Sequence, residues 1–279
     1  MAEKETENEP KDLIEAVPEE VEKLEEKEIE FEGKEEGAKT EEIEQKKISY
    51  SEMKAQRIAE SEKRALAAWV PKTKLGRMVR EGQIKNIDQV ISSGMKILES
   101  EIVDSLLKLS TDLLSIGQAK GKFGGGKRRA WRQTQRKTME GNVVTFSCMA
   151  VVGDMKGHVG LGYGKSKETL PSRAKALRKS KLNIIKVNRG FESPDEKALK
   201  ESEPHTVPFV VEGKCGSVRI KLIPAPRGTG LVVGDEAKKV LRLAGIKDVY
   251  GVARGQTRTT FNLAKAVIDA LTKTNKMKL

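Results

Sequence analysis

GHVGLGYGKSKETL, residues 157–170, sets clustered glycines against Gly-Lys-Ser and then runs into a helix-like pattern. A phosphate-gripping loop needs G-x-x-x-x-G-K-[ST], because glycines let backbone N–H groups turn toward the phosphates while the Lys reaches the outer ones. Gly164, Lys165 and Ser166 supply the second half, but Val159 stands where the first glycine belongs. The dinucleotide fingerprint G-x-G-x-x-G fails as well, since Lys165 occupies the third glycine position after Gly160 and Gly162. The stretch reads instead as a short strand over 158–163 that leads into a helix. Gly160, Gly162 and Gly164 recur with period two, which puts them on one face and leaves that face bare for another backbone. Two occupants fit such a face: RNA, or a neighbouring helix of the same chain.

Upstream, residues 143–152 read as a strand, and the turn over 153–157 closes a hairpin with 158–163. Residues 131–138 supply a third strand, preceded by the most basic loop of the chain, in GKFGGGKRRAWRQTQRKT. Ile102, Val103, Leu106, Leu107, Leu109, Leu113 and Leu114 fall at near-helical spacing and predict a helix from about residue 100. Downstream, 168–185 reads as a helix, with Leu170, Ala174, Leu177 and Ile184 on one side. Arg173, Lys175, Arg178, Lys179 and Lys181 lie mostly on the other. The order α-β-β-β-α is the layout of double-stranded-RNA-binding domains, whose loops and helix start reach phosphates. Trp131 offers a stacking face for a base, or else tucks against the sheet.

A second unit begins near Pro204. Residues 207–212 and 218–223 read as strands joined through Gly213-Lys-Cys-Gly216, and PAPRGTG at 224–230 as a rigid loop. Residues 236–244 follow as a helix stopped by Gly245, with Ala237, Val240, Leu241 and Ala244 on its inner face. A strand over 248–252 and a last helix carrying Ala264, Val267, Ile268 and Leu271 inward complete a β-β-α-β-α unit. PAPRGTGL partly matches the phosphate loop of small-molecule kinases but lacks its serines, and Arg227 beside the glycines suits a phosphate backbone or an acidic protein neighbour.

Charge points to the class of partner. The chain of 279 residues carries a formal +12, yet residues 1–48 hold 19 Asp/Glu against 8 Lys/Arg, so residues 49–279 carry +23. Such a field steers a protein onto a polyanion. No apolar run approaches the roughly 18 residues of a membrane-spanning helix, and the acidic start is unlike a signal or transit peptide. Nucleic acid in the cytoplasm is therefore the expected partner, with no membrane and no small-molecule substrate. Cys148 and Cys215, with only His158 and His205, make no metal or disulfide spacing, so no cofactor or metal is expected. The expected divisions are an acidic disordered tail at 1–48, a helical extension at 49–98 broken at Pro71, an RNA-binding-like domain at 99–187, a linker at 188–203 and a C-terminal domain at 204–279. The tail could also compete for the basic surface before the partner is met. A nucleotide-dependent enzyme is disfavoured, because no paired carboxylates, metal cluster or complete phosphate loop accompany the near-miss motifs. A free regulator of duplex RNA is the other alternative.

The runs WVPKTKLGRMV, VVGDMKGHVGLGYGKSKE, PHTVPFVVEGKCGSVRIKLIPAPRGTGLVV and LAGIKDVYGVARG, in their order along the chain, resemble one family: the fifth protein of the small ribosomal subunit, in its archaeal and eukaryotic form. The resemblance spans about residues 69–274. It implies an α+β protein, with an N-terminal double-stranded-RNA-binding-like α-β-β-β-α domain and a C-terminal β-β-α-β-α domain with a left-handed β-α-β crossover, against the usual right-handed rule. It implies a non-enzymatic role in the small subunit near the decoding region and the path of incoming messenger RNA. The fourth and eighth small-subunit proteins would lie beside it, and Lys214, Gly216 and Arg219 would meet the fourth. Candidate contacts to small-subunit ribosomal RNA are Lys72, Lys74, Arg77, Lys127, Arg128, Arg129, Arg132, Arg136, Lys137, Gly160, Gly162, Gly164, Lys165, Lys167, Arg173 and Arg227. The family carries a basic glycine loop immediately before its Phe-containing strand, whereas residues 138–146 here hold no Arg or Lys. The positive charge stands upstream, at Lys127 to Lys137, in what reads as an insertion that assumes the RNA contact.

Overall fold

The computed structural model describes residues 66–119, 128–192 and 203–276. The acidic tail and the first part of the helical extension therefore lie outside the described residues, as does Lys127. The described residues from Ala68 onward belong to one compact unit.

The extension is helical where it is described. Residues 66–68 are helical, and the chain leaves that conformation before Pro71. Helix α1, Lys74–Arg80, starts where the Thr73 hydroxyl accepts a hydrogen bond from the Gly76 N–H at 3.1 Å. Glu99 latches the segment before it, accepting from Trp69 Nε1 at 2.8 Å and from the backbone N–H groups of Thr73 and Lys72 at 2.7 and 3.0 Å. Burial works against the Glu99 charge, but these bonds outweigh it and hold the carboxyl below its ordinary range. Helix α2, Ile87–Ser92, completes the extension, and α3, Ser100–Leu106, opens the next domain; Leu75, Val79 and Val90 of the extension pack with Ile102 of α3 as a small core.

The helix expected from about residue 100 ends at Leu106, and of the later leucines in the pattern Leu113 belongs to β1, Ser110–Leu113. Leucines at mixed spacing satisfy either period, and here the edge of a long strand wins. That strand is β3, Gly141–Gly153. β2, Trp131–Thr138, pairs with its first part and β1 with its end, so both occupy one edge in succession. β4, His158–Ser166, pairs along the other edge, and β5, Ile184–Lys186, lies outside β4. Helix α4, Thr169–Leu182, stops short of the expected 185 because Ile184 belongs to β5.

The second sheet contains β6, Val211–Cys215; β7, Val218–Pro224; β8, Leu231–Val232; and β9, Val249–Arg254, in the order β6-β7-β9-β8. The first strand begins later than expected and runs through Gly213, so the turn is Gly216-Ser217 rather than 213–216. Gly213 lies inside the strand because the backbone of the last helix presses on it; a Cβ there would meet the Ala266 carbonyl and the Ala270 N–H. β8 was not expected: two residues pair parallel with β9, and helix α5, Asp235–Leu243, connects them. Helix α6, Thr260–Lys276, ends the described chain.

Met149 and Val151 of the first sheet join Leu222 of the second and Leu241 and Leu271 of the helices in one apolar cluster. The layers therefore run α4, first sheet, α5 with α6, second sheet. The cluster takes residues from both sides of the 188–203 segment. Leu241 and Leu271 are fully buried, each contributing about 1.5–3 kcal/mol of transfer free energy.

Candidate nucleic-acid interface

Burial arranges which basic residues are left outside. The last β3–β4 pair is Phe146 with Ser166, so residues 141–145 of β3 are supported only by β2. The two strands form a projecting ribbon, with Arg132, Arg136, Lys137 and the tip residues Met139 and Glu140 exposed. Alternation puts Arg132 and Arg136 on one face, across from Ser147 and Val143, and Trp131 and Lys137 on the face that α4 covers further along. The base is tied down by the Gly117 N–H donating to the Arg129 carbonyl at 2.9 Å and by the bridge of Ala119 with Arg128. Arg128 and Arg129 are exposed there. Trp131 stands opposite Cys148 with 41% of its surface open, so the ring is half tucked and half available. Burial raises the Cys148 thiol pKa, while the nearby Arg173 charge opposes that shift. Arg173 thus sits beside the strand position that faces Trp131, bringing the start of α4 to the base of the ribbon.

The glycine face is the point at which the structure corrects the expectation. Ser172, Ala176 and Ser180 of α4, spaced four apart, lie directly on Gly164, Gly162 and Gly160. A Cβ on any of the three would strike α4 backbone, and the Ser172 hydroxyl bonds the Gly164 carbonyl at 3.1 Å. Gly160, Gly162 and Gly164 are buried and touch the chain's own helix, not RNA. The same geometry corrects the face expected for α4: small residues point inward because only they allow so close an approach, and Leu170 is exposed. Lys165 and Lys167 after the glycines, and Arg173, Lys175, Arg178 and Lys179 on the helix, face outward. Lys181 is occupied by Asp104 at 2.7 Å.

Lys72, Lys74 and Arg77 are exposed on the segment that Glu99 latches. Arg227 is exposed on a loop held by Asp248, which accepts from the Gly230 N–H at 2.7 Å and is itself bonded by His205 at 2.9 Å. On the outer face of the second sheet, Lys214 stands opposite Arg219 and Arg219 opposite Arg254, three exposed cations in one row across three strands. Like charges so placed destabilise a sheet, and among the described residues no carboxylate pairs with them. Gly216 holds the hairpin at φ +61, where glycine is favoured. Arg254 was absent from the expected set, because only strand register brings it beside Arg219.

Among the described residues no group of three His, Cys, Asp or Glu side chains converges as a metal site, and no helix is long and apolar enough to cross a membrane. Outward cations on a ribbon, a helix and an open sheet, around a main apolar core that both sheets share, define a basic α+β protein built to meet a polyanion. Residues 128–188 match the family described as Ribosomal protein S5, N-terminal domain, and residues 213–278 match Ribosomal protein S5, C-terminal domain. The small ribosomal subunit protein uS5 of Nanoarchaeum equitans is 47% identical over 212 residues, covering 76% of this chain and 90% of that protein. That of Thermofilum pendens is 48% identical over 207 residues, 74% and 94% of the two chains, and that of Pyrobaculum calidifontis 47% over 215 residues, 77% and 98%. The chain belongs to the ribosomal protein uS5 family, which is structural and non-enzymatic.

Proposed function

We propose that this protein is a structural constituent of the cytoplasmic small ribosomal subunit that binds small-subunit ribosomal RNA through phosphate contacts. It sits near the decoding region and the path of incoming messenger RNA, beside the fourth and eighth small-subunit proteins, and supports assembly and accuracy. The observation that carries this reading is the β2–β3 ribbon, which buries little yet carries Arg132, Arg136 and Lys137 on a base holding Arg128 and Arg129. Arg132 and Arg136 share a ribbon face that carries no amide or carboxylate, Gln133 and Gln135 lying on the other face with Trp131 and Lys137, and cations without amides or carboxylates beside them suit phosphates rather than base edges. Lys72, Lys74, Arg77, Lys165, Lys167, Arg173 and Arg227 extend the contact, and Lys127 adjoins it in sequence. The order α3-β1-β2-β3-β4-α4, an α-β-β-β-α run with the short edge strand β1 added, supports a double-stranded-RNA-binding-like reading of the first sheet. The parallel β8-α5-β9 connection supports a β-α-β crossover, whose left hand is proposed from the family. Lys214, Gly216 and Arg219 form the contact with the fourth protein, extended by Arg254.

Replacing Arg128, Arg129 and Arg132 by Ala tests the RNA contact. The salt dependence of binding to small-subunit RNA should flatten by roughly 0.7 to 0.9 units of log–log slope per lost contact. An unchanged slope would remove the ribbon from the interface. A free regulator of duplex RNA is separated by sedimentation, since a subunit constituent runs almost wholly with small subunits.

A further inference from the structure

The ladder between β4 and β5 stops early. Val159 stands opposite Ile185 and Gly160 opposite Ile184, and there the pairing ends, because the chain reaches Ile184 straight from α4, whose last residue is Leu182. On its other side β4 stays paired with β3 as far as Ser166. From Leu161 onward β4 is therefore an edge of the sheet, over about 20 Å at the usual rise of a strand. The stretch has no proline and no bulge, and its one charge is Lys165 near the end. Natural sheets blunt their edges with such features, because an uncovered edge is a template for one more strand.

Register fixes which backbone groups face out. The Val187 N–H donates to the Gly157 carbonyl at 2.7 Å on the β5 side, and the Asp154 N–H donates to the His158 carbonyl at 3.3 Å on the β3 side. In an antiparallel strand both groups of one residue point the same way, and successive residues alternate. Odd positions of β4 thus face β5. Past the end of β5, Leu161, Tyr163 and Lys165 turn their N–H and C=O groups to the open side, where no strand pairs with them among the described residues.

This edge gives onto a cavity of about 970 Å³. Leu161, Ile185 and Ile268 line it from the sheet and α6, and Ile97 and Leu98 from the loop before α3. Met95, Leu98 and Tyr163 keep apolar surface exposed around it, as surfaces that receive another protein do. Lys96, Lys179 and Lys265 also line it; all three are exposed, and no lining residue is acidic. We infer that the open edge of β4 is a strand-addition site, which takes an extended segment of another protein carrying apolar and acidic side chains. Main-chain bonds to Leu161, Tyr163 and Lys165 hold the segment, its apolar side chains fill the cavity, and its carboxylates meet the three lysines. RNA is the poorer occupant, because outward carbonyls repel phosphates and aliphatic walls offer them nothing.

Hydrogen exchange on the full chain tests this, with a short soluble peptide alternating valine and glutamate as the probe. With peptide at about ten times its Kd, exchange at the Leu161, Tyr163 and Lys165 amides should slow about tenfold. Gly160, Gly162 and Gly164, which face β3, should stay as they were. Lys96→Glu with Lys265→Glu should melt like the parent and bind the peptide about tenfold more weakly. The same peptide with its backbone N-methylated throughout should not bind. Absence of binding by the unmodified peptide overturns the inference, and so does equal binding by the N-methylated one, which would leave an apolar pocket without an added strand. Unaltered affinity in the double variant overturns the acidic chemistry assigned to the partner. A folded fragment of small-subunit ribosomal RNA that protects the same three amides would give the edge to nucleic acid and overturn the inference equally.

Discussion

Gly162→Val places a branched side chain where α4 already touches β4. The added Cβ meets the Ala176 carbonyl and the Ser180 N–H at once, two successive turns of helix backbone, and neither is the movable end of a side chain. Relief requires α4 to retreat as a whole, because Ser172 and Ser180 hold it equally close at Gly164 and Gly160. Retreat would strip contacts from the buried Ala176, Cys148 and Ala150 and loosen the Ser172 hydroxyl bonds to Phe146 and Gly164, both 3.1 Å. Ordinary overpacking costs about 1–3 kcal/mol, and a clash with backbone on two turns belongs at the upper end or beyond, about 3 kcal/mol or more. For a unit of this size each kcal/mol lowers the melting temperature by roughly 2–4 °C, so a fall of about 6–12 °C or outright unfolding is expected. Thermal unfolding followed by circular dichroism measures it, with Lys165→Ala as the companion that should weaken RNA binding while melting normally. A Gly162→Val protein that melts like the parent yet fails to bind RNA would refute the reasoning and return the glycine face to the RNA.

Arg219→Leu should leave RNA binding and assembly near normal and alter misreading of near-cognate codons; a shift of about 1.4 kcal/mol between two subunit arrangements changes their ratio tenfold. Normal accuracy in fully assembled mutant ribosomes would count against the interface. Glu99→Gln weakens the latch on Trp69, Lys72 and Thr73, so hydrogen exchange at the Lys72 and Thr73 amides should speed up by roughly tenfold, and unaltered protection would show the latch to be idle. His158 lies between Asp154 at 2.6 Å and Asp88 at 3.1 Å, and both ring nitrogens can donate only when the ring is protonated. The Asp154 hydrogen bond, aided by Asp88 and opposed by burial, raises the His158 pKa above its ordinary 6.5. Its contribution is therefore complete below about pH 6.5 and fades as pH rises through the elevated folded value. Asp154 and Asp88 both lie below their ordinary 3.8: burial opposes this, but the bonds to His158, and for Asp88 also to Lys186, outweigh it. Their contribution is lost as pH falls through the depressed values, so His158→Gln should cost most stability near pH 5–6 and least near pH 8. A cost independent of pH over that range would mean that folding leaves the proton affinity of the ring unchanged, and a cost largest near pH 8 would mean that the folded protein holds it neutral.

The run GHVGLGYGKSKETL determined by itself that a bare-faced strand precedes a basic helix, because period two and helical period are local properties of a chain. Charge told as much about the partner, since +23 on residues 49–279 needs no fold to be counted. What lay on the bare face was a different kind of question. Glycines admit any close backbone, and only the arrival of Ser172, Ala176 and Ser180 decided for α4. The same holds for β1, whose Leu113 suited a helix until the free edge of β3 claimed the strand, and for β8, two residues whose strand identity exists only through pairing with β9. Arg254 beside Arg219, and Lys96 with Lys265 around one cavity, depend on register and on segments brought together by a shared core. Periodicity is set by neighbours along the chain and survives in the sequence. Which face meets which, and which cations are left outside together, is set by contacts between residues tens of positions apart, and that was decided only by the tertiary structure.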